Sequence, residues 1–245
     1  MSKPDWRGWI ADLLEPLWPL ECPLCSRELC SPDVLRGGSG ANDPPTMHPT
    51  CLARLEPTTP DAASPRRLRD GVPVRWCFRD GPDFFRLLHA AKYGRRPDLI
   101  QPVARAAARH ALECGWIAAG SRIVPMPDDP DRLRARGASI TGLIARELSA
   151  CSGRPLATDL LRRRPGLDSL SKVEGAAERS RLVRGRFRTG NLPAIAVSTP
   201  LILVEDQVTT GSTAMEATRA LGARGNPILL LSLAGAAAAP RELQH

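Results

Sequence analysis

The sequence predicts an α/β protein: an open parallel sheet flanked by helices, preceded by a small module of cysteine and histidine pairs. Three observations carry this. Apolar runs at 201–204 and 228–233 bracket a helical pattern over 213–223, a strand–helix–strand unit. Helical patterns at 84–93 and 99–114 precede another short apolar strand at 122–124. Residues before 72 differ in texture, with Cys and His two residues apart and stretches rich in Gly, Pro and Ser.

The elements follow in order. Trp6, Trp9, Ile10, Leu13, Leu14 and Leu17 recur at helical spacing, with Arg7, Asp12 and Glu15 on the polar face. That polar face is not basic, so the helix is expected to pack against protein rather than lie on a membrane. Cys22 and Cys25 follow in C-x2-C spacing, then the turn-rich GGSGANDPP, then His48 and Cys51, again two residues apart. EPTTPDAASPRRLR, 56–69, reads as a linker. The expected domains are therefore 1–71, with helix, cysteine module and linker, and 72–245, the α/β domain.

In the second domain, FFRLLHAAKY reads as a short helix and 99–114 as an alanine-rich one. The strand at 122–124 runs into the turn PMPDDP. Residues 138–150 place Ile140, Leu143, Ile144 and Leu148 on one helical face. Arg184, Arg186 and Arg188 alternate as on a strand with one charged face, Phe187 pointing the other way. Gly225 suits the C-terminal end of the 213–223 helix.

Composition bounds the function. The 245 residues are 42% hydrophobic, enough for a substantial core. No run of 18 apolar residues occurs, which excludes a simple transmembrane helix. MSKPDW is not a secretory start, so a cytoplasmic location is expected. There disulfides are not favoured, and the seven cysteines read as metal ligands or buried thiols. Net charge is +8, nearly all the cations being arginine, with lysine only at Lys3, Lys92 and Lys172. Arginine suits bidentate contact with phosphate, so the partner is a nucleic acid or a phosphorylated metabolite, or the charge is a solvated surface.

LVEDQVTTGST, 203–213, carries the most chemistry. In an open α/β sheet, ligands bind at the carboxyl ends of strands, and Glu205 and Asp206 are expected at one. Thr209, Thr210, Gly211 and Ser212 lead into a helix that Thr213 caps, with Glu216 three residues on completing a capping box. The free amides of the helix start form an anion site, and Gly211 leaves room for close approach of a phosphate. Carboxylates repel phosphate but accept hydrogen bonds from sugar hydroxyls. A phosphorylated ribose meets both demands. The loop is not a P-loop, because no Gly-Lys-Ser/Thr occurs.

LILVEDQVTTGST resembles the ribose-phosphate motif of type I phosphoribosyltransferases. CPLC with HPTC, LLHAAKYGRRPDL, IVPMPDDPDRLRARG and ERSRLVRGRF come in the order seen in the ComF family, phosphoribosyltransferase-like proteins linked to competence and DNA uptake. The resemblance runs from about residue 20 to 235. It implies a type I phosphoribosyltransferase-like sheet binding 5-phosphoribosyl 1-pyrophosphate (PRPP) with Mg²⁺, and displacement of pyrophosphate at ribose C1. Glu205 and Asp206 would accept from the ribose hydroxyls, with Asp206 as base or electrostatic stabiliser. Thr209, Thr210, Gly211, Ser212 and Thr213 would hold the 5-phosphate. The turn with Met126 and Pro127 would lie by the pyrophosphate, with Arg134 and Arg136 on a segment closing over it. A competence helicase or other DNA-processing protein is the implied partner.

Departures from the family pattern point to altered acceptor chemistry. Ala138, Ser139 and Ile140 stand where an aromatic, Asn and Gln are usual; Ser171 and Leu182 stand where Gln and Asn are usual. The alternative reading is a catalytically weak interaction module in DNA uptake. Which acceptor the sugar would reach is not written in the sequence.

Cys22, Cys25 and Cys51 with His48 have the ligand types and spacing of a structural Zn²⁺ site, with Cys30 a rival fourth ligand. By the resemblance, His48 replaces a cysteine of a second C-x2-C pair. The competing reading is a metal-free knuckle of reduced thiols. A redox C-x2-C is disfavoured because no βαβ pattern adjoins it. Cys77, Cys114 and Cys151 read as isolated thiols, and His89 and His110 as ordinary helical positions. Arg162, Arg163 and Arg164, with the 184–188 arginines, are candidate contacts to single-stranded DNA or a solvated face. Lys92 and Tyr93 match the family's Lys-Tyr/Phe step, which would bring Lys92 towards the active cleft; the competing reading is an ordinary helical position.

Overall fold

The computed structural model describes residues 21–29, 46–58, 66–68, 70–94, 96–164, 184–190, 195–209, 211–222 and 225–235. The expected helix at 6–17, Cys30, Thr210, Ser171 and Leu182 lie outside these residues. Chain contacts divide the protein into two units, Met1–Leu55 and Glu56–His245. The boundary read from the sequence differs from this division by the segment 56–71. Part of that segment belongs to the sheet: Pro57 bridges Phe78, and Arg66–Arg67 forms strand β1. Its proline-rich composition hid that pairing.

In the first unit, Glu21 and Glu28 form an antiparallel bridge around a tight turn. The Cys22 N–H donates to the Arg27 carbonyl at 2.9 Å, and Ser26 takes a left-handed φ of 56°. The short helix α1, Pro49–Leu52, starts at His48 and brings Cys51 inward. Cys22, Leu24, Leu29, Met47, Cys51 and Leu55 are buried, a small core with two thiols in it.

The second unit is a mixed α/β domain with a mostly parallel open sheet. After β1 come β2 (Pro73–Phe78), α2 (Pro82–Tyr93), α3 (Ile100–Glu113), β3 (Arg122–Pro125), α4 (Pro130–Arg136) and α5 (Ile140–Ser152). A hairpin of β4 (Leu161–Arg163) and β5 (Phe187–Thr189) follows, then β6 (Leu201–Val208), α6 (Ser212–Gly222) and β7 (Ile228–Gly235). The sheet order is β1-β2-β7-β6-β3, antiparallel only at β1–β2; β4 and β5 pair apart from it.

The centre of the sheet explains the apolar runs. Leu201, Ile202, Leu203 and Val204 of β6 are all buried, as are Leu230, Leu231 and Leu233 of β7. Strands covered on both faces lose the in-out alternation of a half-exposed sheet. On α3, Val103, Ala104, Ala107, Ala108 and Ala111 are buried, and the helix packs on Ile140, Ile144, Ala145 and Leu148 of α5. At the edge of that contact, Glu147 accepts from Gln101 at 3.1 Å and pairs with Arg105 at 3.2 Å.

Several expectations shift. β6 runs four residues past Val204, so Glu205 and Asp206 lie inside the strand. α5 begins at Ile140, because the Ser139 hydroxyl accepts from the Gly142 N–H at 2.9 Å and caps it. β2 and α4 were not read from the sequence. The charged face expected of Arg184, Arg186 and Arg188 does not form: only Arg188 lies in β5, and Arg186 is buried beside Phe187. No helix among the described residues is long and apolar enough to cross a membrane.

Candidate functional site

β3 stops short of β6, and that mismatch opens the site. The two strands pair through Pro125 and Val204, and the Met126 N–H donates to the Val204 carbonyl at 2.9 Å. Beyond Val204, the β6 pairing is with β7, Glu205 opposite Ser232 and Gln207 opposite Ala234. The freed flank of β6 faces a cavity of about 480 Å³, inside the ordinary range for small-molecule sites. It lies at the carboxyl ends of adjacent parallel strands, where ligands of open α/β sheets bind.

Its walls gather most of the residues read from the sequence. Glu205, Asp206, Thr209, Gly211, Ser212 and Thr213 line it from β6 and the start of α6. Met126 and Pro127 line it from the turn after β3, and Arg136 from α4. Arg134 does not: it is exposed and pairs with Asp131 at 2.6 Å. Five further cavity residues matter: Lys92, Arg132, Arg163, Arg186 and Phe187. The sequence reading put Arg163 and Arg186 on an outer basic face; the hairpin β4–β5 turns them inward. No periodicity in a three-residue strand could have signalled that.

The anion loop differs in one detail from expectation. Gly211 has φ +74°, and its carbonyl accepts the Met215 N–H at 2.8 Å, so the helix starts at Ser212. Thr213 therefore sits inside the first turn and does not cap it. Glu216 is not in a capping box either. Its carboxylate accepts the Gly185 N–H at 2.6 Å and pairs with Arg219 at 2.6 Å, which ties α6 to the approach to β5. Gly211, Ser212, Thr213 and Ala214 line the cavity from the start of α6, the end of a helix whose dipole favours an anion.

The charges interlock. The Lys92 ammonium, from the last turn of α2, meets Asp206 at 2.8 Å, both side chains largely shielded from water. The Asp206 N–H donates to Glu205 Oε1 at 3.1 Å. Burial pushes the Glu205 carboxyl up to about 8; the Asp206 charge adds to this and Lys92 opposes it. Asp128 accepts from the Ser139 hydroxyl and pairs with Arg136 at 3.5 Å; burial raises it against both partners. Asp129 caps α4 through the Asp131 N–H at 3.1 Å and pairs with Arg163 at 2.9 Å. Five cationic side chains thus line the cavity against four acidic ones, one of them pushed towards its neutral form by burial. That balance suits an anionic ligand.

The first unit carries a second candidate site. The ligand atoms of Cys22, Cys25, His48 and Cys51 lie within 4.8 Å of one another. Cys25 Sγ and His48 Nδ1 are 3.3 Å apart. Burial acts to raise Cys22, yet the backbone amides of His48, Leu24 and Cys25 hold its thiol down to about 6. Burial and the neighbouring sulfurs push Cys51 up to about 11. Four sulfur and nitrogen donors converging on one point are compatible with tetrahedral Zn²⁺ in a knuckle.

Fold and site define an α/β protein with an anion-suited cavity at the carboxyl ends of a parallel sheet. No family model matches the sequence, and no curated protein matches it. Solved structures similar to it include adenine phosphoribosyltransferase from Saccharomyces cerevisiae, complexed with D-2,5-dideoxy-2,5-imino-altritol 1,6-bisphosphate and adenine. That likeness has 17% identity, 58% of this chain, 71% of that chain and a TM-score of 0.38. Adenine phosphoribosyltransferase from Leishmania donovani aligns at 11% identity, 62% of this chain, 71% of that chain and a TM-score of 0.36. Glutamine PRPP amidotransferase from B. subtilis, complexed with ADP and GMP, aligns at 15% identity over 58% of this chain and 30% of that chain, TM-score 0.39. The functional reading rests on this chain's own residues.

Proposed function

We propose that the cavity binds a phosphorylated ribose, with PRPP its full ligand, and that the protein is a type I phosphoribosyltransferase-like enzyme transferring the pentosyl group with release of pyrophosphate. The observation that carries this is the sharing of one cavity by the Glu205–Asp206 pair, by Thr209, Gly211, Ser212 and Thr213, and by Arg132 and Arg136 of α4. The loop suits the 5-phosphate, the acids suit the ring hydroxyls, and Arg136, Arg163 and Arg186 suit a second anionic group. Mg²⁺ bound with such a ligand would neutralise the leaving pyrophosphate. Among the described residues, the cavity acids form no compact cluster of three donors. That fits an ion carried mainly on phosphate oxygens and water, as Mg²⁺ commonly is.

A second reading has a specific observation behind it. Two positions where the ComF resemblance places amide side chains serve the fold here. Ser139 caps α5 and donates to Asp128, and Ile140 is fully buried. Such a protein would bind ribose phosphate yet transfer it weakly, acting as a cytoplasmic partner of a DNA-processing helicase in DNA uptake. Single-stranded DNA contact would then fall to the outward arginines, Arg162, Arg164, Arg184 and Arg188.

Thermal unfolding with PRPP and Mg²⁺ tests both. A ligand at 100 times its Kd stabilises by about 2.7 kcal/mol, and Asp206→Ala is expected to remove that shift. No shift in folded wild-type protein would sink the ribose-phosphate reading. A shift without pyrophosphate release, across a panel of nucleobase and amine acceptors, selects the second reading.

A further inference from the structure

Consecutive acids on a strand, Glu205 and Asp206, face one cavity, and charge alone makes them poor neighbours. The structure resolves this asymmetrically. Lys92 reaches in from α2, 114 residues away in sequence, and contacts Asp206 at 2.8 Å. The Asp206 N–H turns to Glu205 Oε1 at 3.1 Å. The Lys92 carbonyl accepts from Arg136 Nε at 3.3 Å, so the end of α2 is itself held from α4. Arg136 in turn pairs with Asp128, which its Ser139 contact also holds. Lys92 is shielded, fixed at its backbone and aimed at one carboxylate.

We infer that Lys92 is the positioning residue of the acid pair: by committing Asp206 as an acceptor, it divides the two acids into an acceptor, Asp206, and a donor, Glu205, for adjacent hydroxyls of a ribose ring. Vicinal hydroxyls each offer one proton and two lone pairs. Two acceptors would take both hydroxyl protons, leave both oxygens without a donor and concentrate negative charge close to the ligand's phosphates. An acceptor beside a donor satisfies both hydroxyls with one charge fewer. The groups bearing on Glu205 are Asp206 of its own strand, Lys92 of α2, and Asp128 of the turn after β3. Asp206 and Asp128 favour its proton and Lys92 opposes it. Removing Lys92 would leave Asp206 uncompensated, and the proton would be shared rather than assigned.

This inference rests on the ribose-phosphate reading for its ligand, though not for its first test. In ligand-free protein, ¹³C NMR would follow the Glu205 carboxyl from pH 5 to 10 in wild type, Lys92→Met and Lys92→Arg. The expected result is a Glu205 midpoint at least one pH unit higher in Lys92→Met, with Lys92→Arg within about half a unit of wild type. A Lys92→Met midpoint within about 0.3 pH unit of wild type, roughly a twofold change in proton affinity, overturns the inference. The second arm is calorimetry of ribose 5-phosphate. Wild-type affinity is expected to fall about tenfold per pH unit above the Glu205 midpoint, and Lys92→Met to bind at least tenfold more weakly at pH 7. Tighter binding by Lys92→Met would make Lys92 a latch that the ligand must open, and would overturn the positioning role. If wild type binds no ribose phosphate, the proposed function falls, while the carboxyl titration still decides what Lys92 does.

Discussion

Burial moves the Glu205 carboxyl far from its free state. Its raised carboxyl means the folded protein binds a proton there that the unfolded chain releases near the ordinary range of about 4.3. Between that value and about 8, folding takes up a proton. Stability contributed by this site is therefore full at low pH, declines as pH rises through the window, and is at its lowest above 8. Each pH unit costs at most about 1.4 kcal/mol, less where water reaches the cavity wall. Glu205→Gln has no such proton to lose. Thermal melts at pH 5 and pH 8.5 are expected to show wild type and variant close together at the lower pH. At the higher pH the variant should gain by roughly 2–4 °C per kcal/mol. Parallel curves across the range would show that the site is wetter than its burial implies. That Glu205, Asp206, Thr209, Gly211, Ser212 and Thr213 share one cavity was legible because they are close neighbours in sequence. Arg163 and Arg186 were not legible as cavity residues, because what brings them there is tertiary; Lys92 was legible only through its place in the Lys-Tyr step.

At the scale of elements, the site is a product of strand lengths. β3 ends at Pro125, a residue with no N–H for a ladder, while β6 continues to Val208. The apolar letters of β6 stop at Val204, so a hydrophobicity reading ends the strand exactly where the site begins and misses the four residues that matter. The helix α6 was legible from its period, but its first residue was not, because Gly211 rather than Thr213 makes the turn. Gly211 has φ +74°, and a Cβ there would sit 3.2 Å from Leu68 Cδ2. Gly211→Ala is expected to destabilise the second unit by about 1–2 kcal/mol through left-handed strain, read by urea unfolding. It is also expected to weaken phosphate binding, because the loop would shift away from the first-turn amides of α6. Unchanged stability and affinity would mean the loop relaxes freely and does not shape the anion site.

For the whole molecule, the α/β class and the cysteine module were both visible in the sequence, since each is written in spacing. The division between them was not, because β1 and the Pro57–Phe78 bridge lie in a segment whose composition reads as linker. Two units with separate cores make separate predictions possible. The first has few buried apolar residues and cannot gain much from their burial alone. A structural zinc ion supplies about 10–16 kcal/mol of apparent binding free energy in small modules. Purified protein is therefore expected to hold close to one zinc per chain, and a content under about 0.3 would count against the four-ligand site. Cys51→Ser is expected to lower the metal content and to increase proteolytic cleavage within residues 21–55. Chelation should do the same to wild type, since the four donors then lose the ion that holds them together. PRPP-induced stabilisation is expected to survive chelation in an excess of Mg²⁺, because every residue lining the cavity belongs to the second unit. Loss of that stabilisation on zinc removal, restored by adding zinc back, would show instead that the metal module and the ligand cavity are energetically coupled.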